Sequence, residues 1–293
     1  MSAPASRPGS TALIALFVLL AFASNSILCR MALRETRIDP ASFTSVRLLT
    51  GALTMVLLVR FGRRSRVLGG DWRSAAVLLL YAVTFSFAYV SVTTGTGALL
   101  LFGAVQLIMI SVGMMSGERI DVRIGIGWTV AVTGLVLLLM PGIAAPPLGK
   151  ALLMLCAGVC WGLYSLLGRR SGDPLCDTAG NFVRAAPGAV LVSALLWRHT
   201  SIDSSGVMLA ALSGSIASGV GYVAWYTVLP RLSAIAAANM QLSVPVIAAL
   251  GGVALSGESI TWRLAVSSAL VLGGIALATR QSYQAVRRRA AAP

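Results

Sequence analysis

Ionisable side chains are scarce in this 293-residue chain: nine Asp and Glu together, a single His, and only 11% charged residues in all. That scarcity excludes most enzyme classes. No His-Glu-x-x-His, Gly-x-Ser-x-Gly or phosphate-cradling glycine loop occurs, so no catalytic residues, no metal site and no cofactor are expected. The four cysteines have neither ligand nor disulfide spacing. Cys156 and Cys160 stand one helical turn apart in an apolar run, Cys29 and Cys176 stand alone, and all four read as packing residues. Acids are missing from every long apolar stretch: Glu35, Asp39, Asp71, Glu118, Asp121, Asp173, Asp177, Asp203 and Glu258 fall in loops or at helix ends, as does His199.

What is present is apolar. Hydrophobic residues make up 57% of the chain and the mean hydropathy is +0.86, a balance no soluble domain carries. Apolar runs lie near residues 11–29, 41–59, 74–92, 97–116, 124–140, 150–168, 179–197, 207–228, 233–256 and 261–279. At roughly 20 residues per crossing, these runs use nearly the whole chain. The unit is duplicated: residues 46–52 read VRLLTGA and 183–189 read VRAAPGA, while 116–120 read SGERI and 256–260 read SGESI. Each copy holds five runs, an odd number, so the second copy must sit upside down relative to the first. The expected fold is all-α integral membrane, ten transmembrane helices arranged as two inverted five-helix repeats, residues 1–145 and 146–293, the second ending in a short basic tail. The first run could pass for a signal peptide, but Ser24-Asn25-Ser26 through Arg30 aligns with Leu163-Tyr164-Ser165 through Arg169, which makes it a retained first helix.

The net charge of +14 invites a nucleic-acid reading, which the distribution of the charges removes. With the N-terminus placed in the cytoplasm, Arg7, Arg60, Arg63, Arg64, Arg66, Arg73, Arg119, Arg123, Arg169, Arg170, Arg231, Arg280 and the Arg287-Arg288-Arg289 tail all fall inside. The outside receives Arg30, Arg34, Arg37, Lys150, Arg198 and Arg263, a clear minority. Both termini are expected to be cytoplasmic, with anionic lipid head groups as the partners of the excess charge. Trp72, Trp197 and Trp262 sit at span ends and read as interface anchors.

Aromatic and polar residues inside the spans mark a candidate binding site. Tyr81, Phe85 and Tyr89 recur every four positions as one stripe of helix three, and the repeat maps Phe85 to Tyr222 and Tyr89 to Tyr226, with Trp225 beside them in helix eight. Trp161 and Tyr164 in helix six offer a third surface. Facing rings can stack on an aromatic ligand or embrace a cationic one. Asn25, Gln106, Asn239 and Gln241 should face the bundle interior, since polar groups at membrane depth need partners. They are candidate contacts for a ligand's charged ends, or else bonds between helices. Pro245 lies inside the ninth run, where it would break the helix near Gln241. Arg47 and Arg184 are costly inside spans; each lies shallow and is expected to snorkel toward head groups as a gate-end anchor on opposite faces, with contact to a ligand carboxylate as the rival role. Glu118 and Glu258 each precede an arginine by five residues, Arg123 and Arg263, and are expected to pair with them and set loop geometry. The glycines Gly134, Gly158, Gly162, Gly251-Gly252 and Gly273-Gly274 read as close helix contacts and need not signal dimerisation, so a functional monomer is expected.

Ten helices in two five-helix halves, an arginine early in the second helix of each half and a Gly-Glu pair between the fourth and fifth resemble the EamA type of the drug/metabolite transporter superfamily. The likeness covers nearly the whole chain, and within the superfamily it is most like the YddG-type aromatic amino-acid exporters. The resemblance implies export of small amphipathic metabolites, aromatic amino acids first among them, from the cytoplasm across an inner membrane by alternating access around a central cavity. Other amino acids, cationic drugs or a lipid-linked sugar remain as alternative cargoes, and a channel-like protein as an alternative class. Proton coupling generally needs a titratable group deep in the site; none is visible, so downhill export or exchange is expected.

Overall fold

The computed structural model describes residues 8–61, 68–115, 122–142, 145–168, 171–229 and 240–290. Among them the chain forms ten long helices and no strand. The first repeat supplies α1 (Pro8–Glu35), α2 (Pro40–Arg60), α3 (Trp72–Tyr89), α4 (Thr94–Met115) and α5 (Val122–Leu139). The second supplies α6 (Leu148–Gly168), α7 (Pro174–Leu195), α8 (Ser204–Val228), α9 (Ser243–Ser256) and α10 (Trp262–Ala290). Five of these helices, α1, α2, α3, α6 and α8, are long and apolar enough to cross a membrane, and α4, α5, α9 and α10 contribute shorter apolar segments. The chain is a multi-pass membrane protein.

Four of the acids that sequence places in loops or at helix ends start helices. Asp39 accepts from the amides of Ala41 and Ser42, Asp71 from those of Arg73 and Ser74, Asp173 from Cys176 and Asp203 from Gly206. Each satisfies backbone N–H groups that a helix cannot satisfy itself, and proline at the first positions of α2 and α7 loses nothing there. Pro187 inside α7 was not singled out from sequence; it sits on an exposed face of that helix.

Equivalent helices of the two repeats run antiparallel, which is the structural signature of the inversion. Ser45 near the start of α2 bonds to Ala189 O and Ser193 Oγ near the end of α7, while Gly51 farther along α2 faces Phe182. In the same way Gly134 of α5 meets Leu270 and Val271 of α10, and Gly274 of α10 meets Gly127 and Ala131 of α5. Side chains of both repeats join one buried core.

The ninth run is described in part. Residues 230–239, with Asn239 among them, lie outside the described residues. Residues 240 and 241 are helical, Leu242 is a turn and α9 begins at Ser243, so the ninth run is interrupted beside Gln241, with Pro245 in the first turn of α9, where amides have no intrahelical acceptor to lose.

Candidate substrate site

The aromatic residues singled out from sequence meet in one cluster at the centre of the bundle. Tyr81 and Phe85 of α3 have ring centroids 5.4 Å apart, and Phe85 continues to Tyr89 at 4.8 Å. Trp161 of α6 lies 5.4 Å from Tyr81 and 4.7 Å from Tyr222 of α8, tying the repeats together. Phe22 of α1, which the sequence reading missed, sits edge-on to Trp161, Tyr222 and Trp225 at 5.5, 6.1 and 5.7 Å. Phe182 of α7, also missed, closes on Tyr222 at 5.7 Å. Edge-to-face pairs of this kind contribute about 0.5–1.5 kcal/mol each beyond the area they bury. Between the rings lies a void lined by Phe22, Asn25, Tyr81, Phe85, Trp161 and Tyr222 together with Ser26, Leu101 and Phe102. Its volume of about 10 Å³ leaves room for a water molecule at most, so this conformation is collapsed onto its own centre.

A polar seam runs beside the rings. Asn25 donates through Nδ2 to the Tyr81 hydroxyl at 3.2 Å and accepts from Ser213 Oγ at 2.6 Å. Arg47 donates from Nη2 to the same Tyr81 hydroxyl at 3.2 Å and from Nε to Ser218 Oγ at 3.3 Å. Ser213 and Ser218 come from a π-helical stretch of α8, Ser213–Val220, whose wider turns aim both hydroxyls into the seam. The only hint in the sequence is the run of small residues from Ser213 to Gly219 inside an otherwise apolar span.

Arg47 corrects a prediction. It does not snorkel: only 1% of it is exposed, and its guanidinium carbon lies 5.2 Å from the Tyr81 centroid and 4.9 Å from the Phe85 centroid. The α2 backbone packs closely on α8 there: a Cβ on Gly214 would meet Arg47 O and Thr50 Oγ1. The rings return part of the desolvation cost, about 2 kcal/mol for a desolvated cation over aromatic faces. Its repeat-mate Arg184 is placed differently. It is half-exposed, donates to Gly69 O at 2.6 Å and lies 6.0 Å from the Trp72 centroid at one end of the bundle.

The two ends differ. At one, Arg30 of α1 forms a buried ion pair with Glu258 at 3.0 Å and donates to Tyr89 O and Val90 O. The Ser-Gly-Glu motif explains the reach: Gly257 takes a left-handed conformation (φ 60°) that ends α9, and Glu258 turns back so that its second oxygen accepts from Thr94 N, the first amide of α4. Glu258 therefore pairs with Arg30, not with Arg263, whose guanidinium bonds to Met140 O. Glu118 lies outside the described residues. At the same end Asp39 N donates to Ser201 O and Arg37 N to Asp203, so further bonds join the repeats there. At the opposite end a cavity of about 280 Å³ opens between Gly70, Asp71, Ser74, Tyr164, Asp177 and Asn181, with Tyr226 in its wall. Asn181, missed from sequence, donates to the Tyr164 hydroxyl at 3.3 Å and accepts from Asp71 N. The Ser74 hydroxyl holds the Asp71 carboxyl below the ordinary carboxylate range, so the mouth of this cavity keeps its negative charge.

Two polar residues expected at the site lie elsewhere. Gln106 and Gln241 are fully buried but line neither cavity, and the amide of Gln241 has no hydrogen-bond partner. Trp225 and Tyr89 are buried at the margins of the cluster, and Tyr164 and Tyr226 belong to the open end.

A ten-helix bundle of two inverted repeats around a central aromatic site defines a membrane transporter, and the comparisons name its kind. Residues 148–280 match the EamA-like transporter family. An uncharacterized Pseudomonas aeruginosa protein is 51% identical over 268 residues, covering 91% of this chain and 93% of its own. The threonine/homoserine exporter RhtA of Escherichia coli K12 is 28% identical over 267 residues, 84% of this chain and 82% of RhtA, and that of Salmonella typhimurium is 34% identical over 144 residues, 46% of this chain and 47% of its own. A solved crystal structure superposes at a TM-score of 0.68 with 20% identity over 95% of this chain and 99% of the other, a likeness of fold. The chain belongs to the EamA type of the drug/metabolite transporter superfamily. It is a transporter of small molecules.

Proposed function

We propose that this protein exports amino acids across a bacterial inner membrane by alternating access, with both termini in the cytoplasm, the Arg30–Glu258 end facing outward and the Asp71–Asp177 end facing the cytoplasm. The observation that carries the reading is the central cluster of rings contributed by α1 and α3 of one repeat and α6, α7 and α8 of the other. It lies between an end sealed by a buried ion pair and an end that is hollow. Rocking one repeat against the other would open the rings first to one side and then to the other. Aromatic amino acids suit stacking on Trp161, Tyr222 and Phe85. The similarity to threonine/homoserine exporters supports a second cargo, small hydroxylated amino acids. Counterflow in proteoliposomes decides both matters. Saturable exchange of labelled for unlabelled phenylalanine or threonine supports a carrier and identifies the cargo, and flux without counterflow indicates a channel.

A further inference from the structure

Arg47 presents an imbalance that the fold leaves open. The side chain is 1% exposed, no carboxylate pairs with it among the described residues, and its Nη1 has no hydrogen-bond acceptor at all. The groups facing it are Tyr81 and Phe85 of α3, Ser218 and Tyr222 of α8, and Cys29 of α1, none of them a carboxylate. A buried guanidinium without a counter-charge is among the costliest arrangements in a protein and persists only where something else uses it. Ordinary packing could have placed Met or Leu here at less cost.

The neighbours show what would satisfy it. The Tyr81 oxygen accepts one N–H from Arg47 Nη2 and another from Asn25 Nδ2, each at 3.2 Å, so a single oxygen collects donors from α1 and α2. A carboxylate in that place offers two oxygens to the same donors and to the unused Nη1, in the forked geometry guanidinium favours. The Tyr222 hydroxyl, near the same charge, can donate to it as well. Tyr81, Phe85 and Tyr222 also line the central void, so a ligand entering between the rings has this polar seam at its side. We propose that Arg47, with Asn25 and the Tyr81 hydroxyl, is the carboxylate-binding subsite of the central cavity: the ligand's carboxylate displaces Tyr81 as acceptor and supplies the missing negative charge. This rests on the amino-acid reading above only for the identity of the ligand; the subsite itself asks for a small carboxylic acid.

The test compares ligands that differ only in that charge. Binding of labelled phenylalanine and threonine to the purified protein in nanodiscs is measured in competition with the unlabelled acids and with their primary amides. The wild type should bind the acid at least about tenfold more tightly than the amide, about 1.4 kcal/mol. In Arg47→Gln the preference should vanish, acid and amide competing equally weakly, and Arg47→Lys should restore part of it. Equal binding of acid and amide by the wild type, or an undiminished preference in Arg47→Gln, overturns the proposal. Should Arg47→Gln fail to fold, the wild-type ratio and Arg47→Lys decide in its place. 3-Phenylpropionate separates the two readings: Arg47-dependent binding of this acid without binding of either amino acid keeps the subsite and overturns amino-acid export. Absence of binding by any of the acids overturns both.

Discussion

Arg47 and Arg184 hold the same place in the repeated unit, yet one is sealed among aromatic rings and the other reaches a surface loop. The asymmetry extends to the ends of the molecule. Tyr89, whose repeat-mate is Tyr226, is buried where Arg30 and Glu258 clamp the repeats together, while Tyr226 lines an open cavity. Inverted copies of one sequence thus sit in unequal environments within a single conformation. For a carrier that inequality is functional: when two repeats can each adopt either of two arrangements, exchanging them opens the opposite face.

The comparison is sharpened most strongly by removing one acid from each end. Glu258→Gln leaves the buried Arg30 guanidinium without its partner and should cost about 3 kcal/mol. Asp177→Asn at the half-exposed mouth, where the carboxylate accepts from Gly70 N and Ser171 Oγ, should cost about 1 kcal/mol. Thermal unfolding in detergent ranks the two; equal losses would mean the clamp is not the tighter end. A smaller contrast comes from the glycines of the repeated motif. A Cβ on Gly51 would meet the Phe182 ring and approach Gly214 O, whereas one on Gly188 would meet only the flexible end of Leu79. Gly51→Ala should cost about 2 kcal/mol and slow counterflow, and Gly188→Ala less than about 1 kcal/mol. Smaller again is Arg184→Gln, which loses the bond to Gly69 O and a distant ring contact; about 1 kcal/mol of stability should go, with acid-over-amide selectivity unchanged. Selectivity lost in this variant would make the two arginines equivalent after all.

The smallest effect concerns pH. Hydrogen bonds from Ser74 lower the Asp71 carboxyl, so its folded value lies below its unfolded one. The stabilisation is then fully present above the unfolded value, near pH 4, and is lost as pH falls through the lowered folded value. Capping of α3 is worth about 1 kcal/mol, and stability between pH 5 and 8 should not depend on it. Asp71→Ala should lower stability by that amount at pH 7 while flattening the acid limb. A limb unchanged in the variant would show that Asp71 does not carry this linkage.

Much of the architecture was legible because lipid leaves few choices. Helix number follows from apolar runs and inversion from an odd count in each copy; the acids were placed in loops or at helix ends, but the amides that four of them cap were not foreseen. The aromatic cluster was legible through its spacing of four residues. Arg47 was misread because sequence depth does not reveal which face of α2 is enclosed; that depends on α8 approaching at Gly214. The partner of Glu258 was misread because nearness along the chain suggested Arg263, while the turn at Gly257 aims the carboxylate at α1. Ser213 and Ser218 had no periodic signal, since a π-helical stretch shifts side chains off the usual helical register.

One labelling experiment bears on the inverted architecture most directly. Glu35 at the end of α1 and Gly172 just past the end of α6 hold corresponding places in the two repeats, and both are exposed. In a background with the native cysteines replaced, Gly172→Cys should react with a membrane-impermeant maleimide only in inside-out vesicles, and Glu35→Cys only in right-side-out vesicles. Reaction of both from the same side would contradict two oppositely oriented repeats.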